Sequence, residues 1–276
     1  MHKKQLETQK GNIVYWVNEN KDKDSLQLVF LPGLTADHRL FLKQIEYFRK
    51  DYRILVWDAP GHNLSYPFEM DFYLEDKARW LDEILEKEGF DKPIIIGQSM
   101  GGYVGQMYSE IHPEKLEGFI SIDSAPLQKK YYKEWELRSL EHTEPVYRHY
   151  PWKMLVRQGC DGTASTRYGR ACMAKMMMTY ENDQNRYAKL AGHGFAIVAE
   201  AIRMDLPYEI KCPAILICGT RDRAGFTKRY NTEWNEQSGI PIKWIDGAGH
   251  NSNTDKPEKV NKIIEDFLKN SIIKEV

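Results

Sequence analysis

The chain has little of what would hold a small or extracellular scaffold together. Its 276 residues contain only four cysteines, Cys160, Cys172, Cys212 and Cys218. None forms a CxxC pair, so neither a disulfide framework nor a thiolate zinc site is expected. There is no excess of charge of either sign: 39 Lys+Arg face 40 Asp+Glu. A nucleic-acid binder or an acidic-membrane binder normally shows a marked basic surplus, so neither class fits. No apolar run approaches the ~20 residues of a membrane helix, and the first dozen residues, MHKKQLETQKGN, have no apolar h-region. Repeats and low-complexity tracts are missing too. What remains is a chain expected in the cytoplasm with reduced thiols, long enough to bury its own core.

Short apolar runs alternate with longer helical patterns. Runs at 12–17, 27–31, 53–57, 93–96, 118–122, 214–218 and 241–245 read as strands. Several are continuous and β-branched, as in parallel strands buried on both faces. Between them, residues 74–88 place Leu74, Ala78, Leu81 and Leu85 on one helical face, and 256–269 do the same with Val260, Ile263, Ile264 and Phe267. The alternation predicts an α/β class with a mostly parallel, twisted central sheet flanked by helices. One stretch breaks it. From Leu127 to Asp205 only helical segments are legible, which predicts a helical insertion, 127–205, in a body made of 1–126 and 206–276.

The strongest chemical signal is Gly97-Gln98-Ser99-Met100-Gly101, preceded by Ile94-Ile95-Ile96 and followed by a helical pattern. A G-x-S-x-G run in a strand–turn–helix setting presents its serine on a strained turn above the sheet. A serine hydroxyl needs a base to become a nucleophile. His250, on the Gly247-Ala248-Gly249 turn after the last strand, has the best setting of the eight histidines. The base needs an orienting carboxylate. Asp222 follows one strand and Asp123 another; Asp222 is favoured, with Asp123 as its rival. Two backbone N–H groups, of Met100 and of Leu34 in the Pro32-Gly33-Leu34-Thr35 loop, are placed to receive a developing oxyanion.

The segments FLPGL, WDAPGHNLS, IIIGQSMGG, CGTRD and GAGHNSNTDKPEKV, in this order, resemble the α/β-hydrolase superfamily, and more narrowly its cap-bearing esterase, lipase and C–C hydrolase branch. The resemblance spans roughly residues 10–270. It implies Ser99 as nucleophile, His250 as base, Asp222 as acid, Leu34 and Met100 as the oxyanion hole, and 127–205 as a cap over the pocket. It implies a serine esterase that needs no cofactor and no metal; C–C hydrolase or thioesterase chemistry with the same triad, and a non-catalytic ligand-binding protein on this fold, are the alternatives. The chain departs from the family pattern at Pro32, Gln98 and Asn63. Ser99 in place of aspartate argues against the carboxylate-nucleophile enzymes of the fold. The insertion carries 13 Lys+Arg against 9 Asp+Glu, a faint pointer to an anionic substrate. Its Met154, Met173, Met176, Met177, Met178 and Met204, with Trp135, Tyr150 and Trp152, are candidates to line an apolar or aryl ester pocket. Oligomeric state is not legible.

Overall fold

The computed structural model describes residues 1–18 and 25–273. Eight strands form one sheet in the order β1-β2-β4-β3-β5-β6-β7-β8. They are β1 (His2–Thr8), β2 (Gly11–Val17), β3 (Gln27–Leu31), β4 (Arg53–Trp57), β5 (Ile94–Gln98), β6 (Gly118–Ile122), β7 (Ala214–Gly219) and β8 (Ile242–Ile245). The strands from β4 to β8 run parallel, while β1 and β2 are antiparallel additions at one edge.

The apolar character of the central strands follows from their double burial. Leu28 and Phe30 of β3 pack on one face of the sheet, and Val29 and Leu31 on the other. The same split separates Ile54 and Val56 from Leu55 and Trp57 on β4. Successive side chains point to opposite faces, so a strand covered on both sides has no solvent position to make polar. Strand β1 has no such pattern. Most of its side chains are exposed, and it is held by backbone pairing to β2 from His2↔Val17 to Thr8↔Gly11. The sequence reading missed it because an edge strand with solvent on both faces need not be apolar.

Helices α1 (Leu42–Phe48), α2 (Leu74–Glu88) and α3 (Met100–Ile111) connect the first parallel strands. Between β6 and β7 lie five helices: α4 (Glu134–Glu141), α5 (Thr143–His149), α6 (Trp152–Thr163), α7 (Arg167–Met177) and α8 (Gln184–Arg203). Then come α9 (Thr227–Ser238), the single turn α10 (Ser252–Asp255) and α11 (Pro257–Phe267). Leu74, Ala78, Leu81 and Leu85 are all buried, as are Val260, Ile264 and Phe267, so the amphipathic faces read from the sequence do meet the sheet layers.

Candidate active site

Strand β5 ends at Gln98, and the chain reverses sharply into α3. Ser99 sits at that reversal with φ 49° and ψ −116°, a conformation that strains any residue with a side chain. Its surroundings hold it there. The Ser99 amide donates to Ile122 O (2.9 Å), and the Ser124 hydroxyl donates to Ser99 O (2.7 Å). The helix after it runs so close to β3 that a Cβ on Gly101 would strike the Leu31 carbonyl, which explains glycine there. Gly33 serves the same purpose from the other side. A Cβ at Gly33 would lie 3.1 Å from Ser99 Cβ and collide with Gln98 Oε1. The Pro32–Thr35 loop is therefore pressed against the serine at Gly33.

His250 reaches the serine from the loop after β8. Its Nε2 lies 2.9 Å from Ser99 Oγ, and its Nδ1 lies 2.8 Å from Asp222 Oδ2. The carboxylate fixes the proton on Nδ1, which leaves the Nε2 lone pair to accept from the hydroxyl. Asp222 is 2 % exposed and comes from the loop after β7, where Ala224 N donates to its Oδ1 (2.8 Å). His250 is also buried. Burial acts to lower its pKa, but the Asp222 charge and hydrogen bond, with Asp123 behind them, outweigh it and raise the pKa above 6.5.

Asp123, the rival acid, makes no hydrogen bond to the imidazole. It is fully buried, and its carboxylate accepts Gly219 N (2.7 Å), Ser252 N (2.9 Å) and Ser252 Oγ (2.6 Å). It ties the end of β7 to the chain just past His250. Burial first, and then the Asp222 charge, push its carboxyl pKa upward. The histidine loop is tied a second time, to the residue just before Ser99: Gln98 Nε2 donates to His250 O (2.9 Å) and to Asn251 Oδ1 (3.1 Å). The sequence reading noted Gln98 only as a departure from a family pattern; nothing in its spacing signals that bond.

Among the described residues two trios bring possible metal ligands together, Asp37/His38/Asp58 and Asp123/Cys218/Asp222. Their carboxylates are already engaged by protein donors. Asp58 takes His38 N and Nδ1, Asn63 Nδ2 and Leu64 N, and Asp37 takes Arg39. These are hydrogen-bond networks rather than open ligand sets. Met173, Met176 and Met177 are buried in the packing of α6 and α7, whereas Met154, Met178, Met204 and Trp135 are exposed. Met177, offered above as a pocket residue, instead fills the space beside Gly159, whose hydrogen leaves room for its sulfur. No helix among the described residues is long and apolar enough to cross a membrane.

A family model described as alpha/beta hydrolase fold matches residues 27–148. The chain is 22% identical over 277 residues to Epoxide hydrolase 1 of Caenorhabditis elegans, covering 92% of this chain and 67% of that protein. It is 24% identical over 251 residues to (E)-2-((N-methylformamido)methylene)succinate hydrolase of Acinetobacter baylyi, covering 87% and 89% of the two. The crystal structure of the enol-lactonase from Burkholderia xenovorans superposes with a TM-score of 0.78 at 21% identity, covering 96% of this chain and 100% of that one.

Proposed function

We propose that the chain is a member of the α/β-hydrolase superfamily, whose fold model matches residues 27–148, and that it is a serine hydrolase cleaving a small or medium carboxylic ester. The observation that carries this is the hydrogen-bonded series Ser99–His250–Asp222, with links of 2.9 and 2.8 Å. In this reading Ser99 Oγ attacks the ester carbonyl while His250 Nε2 takes its proton. The amides of Leu34 and Met100 receive the oxyanion. The alcohol leaves with the proton from His250, and an acyl-Ser99 ester remains. Water, deprotonated by the same imidazole, attacks that ester, releases the acid and restores the hydroxyl.

The epoxide hydrolase relative does not carry over to this chain, because Ser99 stands where that chemistry uses a carboxylate nucleophile. The enol-lactonase likeness favours an ester-type carbonyl, since a lactone is a cyclic ester. The insertion 127–205 acts as a cap that shapes the pocket; the substrate is an apolar or aryl ester, and the cytoplasm is the compartment.

A fluorophosphonate probe, with a panel of p-nitrophenyl esters of increasing chain length, tests the reading. Wild-type protein should label and turn over. Ser99→Ala should lose labelling and keep only the residual catalysis of binding and an oxyanion hole. A folded Ser99→Ala protein that hydrolyses esters as fast as wild type removes Ser99 from the mechanism.

A further inference from the structure

Asp255 closes the α10 turn, five residues after His250, and is 6 % exposed. Its carboxylate serves two separate parts of the chain. Oδ2 accepts Gly249 N (2.8 Å), the amide immediately before His250, and also Ser165 N (2.8 Å). Oδ1 accepts Thr166 N (2.9 Å) and Thr166 Oγ (2.7 Å). Ser165 and Thr166 form the turn between α6 and α7, inside the helical insertion. A second tie runs alongside: Asn251 N, just after His250, donates to Thr163 O (2.7 Å). The two loops are packed so closely that a Cβ on Gly249 would lie 3.0 Å from Thr163 O, and one on Gly169 would strike Asp255 Oδ1.

No Lys or Arg pairs with Asp255 among the described residues, so its charge is met by those four donors alone. Four is also the number of lone-pair sites a carboxylate offers. Moving the α6–α7 turn away would strip three of the four donors from a buried anion, which is costly. The turn and the histidine loop are therefore held in register by the Asp255 side chain, alongside the Asn251 N to Thr163 O bond.

We infer that Asp255 is a positioning residue for His250, which makes the α6–α7 turn of the insertion part of the scaffold that aims the base. This rests on the reading of Ser99, His250 and Asp222 as the reacting groups. Cap residues 163–166 then govern the rate of the chemical step, even though none touches the substrate.

The test uses Asp255→Asn, which places an NH₂ group against N–H donors, and Thr166→Val, which removes one donor from the insertion side. Thr166→Ser keeps the hydroxyl and is the rescue control, because Thr166 Oγ also caps α7 by accepting Gly169 N. A misplacement of about 1 Å far from the chemistry can cost about 10² in rate. Asp255→Asn should accordingly lose about a hundredfold in kcat, and Thr166→Val less, with KM unchanged and Thr166→Ser like wild type. A second readout needs no turnover: the downfield Nδ1 proton of His250, hydrogen-bonded to Asp222, should broaden in Asp255→Asn and Thr166→Val and stay sharp in Thr166→Ser. Folded variants with wild-type kcat, or with only KM raised, overturn the inference. So does an unchanged Nδ1 proton resonance, even if Asp255→Asn fails to fold and only Thr166→Val is measured. If wild-type protein does not label with fluorophosphonate, the hydrolase reading fails instead, and the proton resonance still decides whether Asp255 positions the ring.

Discussion

Replacing Asp222 by asparagine separates the acid of the series from its buried neighbour. Asp222→Asn keeps the shape of the side chain but removes the charge that stands 2.8 Å from His250 Nδ1. Loss of the orienting carboxylate costs about 10⁴ in kcat in a well-studied triad of this type. At about 1.36 kcal/mol per tenfold, that is about 5 kcal/mol of transition-state stabilisation. Asp123→Asn acts differently. Asp123 accepts three hydrogen bonds from Gly219 and Ser252 and none from the imidazole. Its replacement turns an NH₂ donor toward donors, a penalty of about 1–3 kcal/mol felt mainly as stability. The pH dependence adds an independent check. His250 must be neutral to accept the serine proton, so kcat/KM falls as pH drops through its pKa, which lies above 6.5. Burial works against that elevation and the Asp222 charge is the first influence supporting it. Without Asp222, the acid limb should move to lower pH. The assay is kcat/KM on one p-nitrophenyl ester from about pH 5 to pH 9, with circular dichroism to confirm folding. An Asp123→Asn enzyme more impaired than Asp222→Asn, or an unmoved acid limb in Asp222→Asn, refutes the assignment.

Lys77 offers a stability prediction of the opposite sign to most substitutions. It is 1 % exposed, sits over the Phe72 ring at 5.6 Å and has no carboxylate partner among the described residues; burial lowers its pKa from 10.5 to about 8. A lysine with a depressed folded pKa destabilises the fold below that pKa, and the penalty fades as pH rises toward the unfolded value. Lys77→Met should thus stabilise the protein by about 3 kcal/mol at neutral pH, with the gain shrinking between about pH 8 and 10.5 in urea melts; a gain independent of pH, or a loss, counts against the unpaired-cation account. Met177→Ala should cost about 2–5 kcal/mol, because Met177 is fully buried in the α6–α7 packing. It should leave chain-length preference across the ester panel unchanged; an altered preference with little change in melting would return Met177 to the pocket wall.

The sequence made the parallel core legible because double burial leaves a plain mark: Leu28 to Leu31 and Ile94 to Ile96 have no polar position at all. Ser99 was legible because a strained turn demands glycines at fixed offsets. The choice between Asp222 and Asp123 could only be leaned on, since both follow strands and both end up buried at the same sheet edge. What separates them is which oxygen meets Nδ1 and which meets Ser252, and that depends on how β7 and the histidine loop pack. Strand β1, Gln98 and Asp255 left no trace for a related reason. Each is held largely by backbone groups: those of β2 for β1, His250 O for Gln98, and the Gly249, Ser165 and Thr166 amides for Asp255, and backbone groups have no letter in the sequence.

Ser99 and His250 are 151 residues apart in the chain. On a ribosome adding roughly 5–20 residues per second, the serine emerges roughly 8–30 s before its base exists. During that interval the hydroxyl is an ordinary alcohol, incapable of acylation. The histidine arrives with the last strand, and the Asp255 contacts require the insertion to be in place as well. If Ser99 and His250 react as proposed, reactivity is switched on by completion of the fold. A fluorophosphonate pulse during synthesis or refolding would mark only finished molecules, which makes the serine a built-in clock for the final docking step.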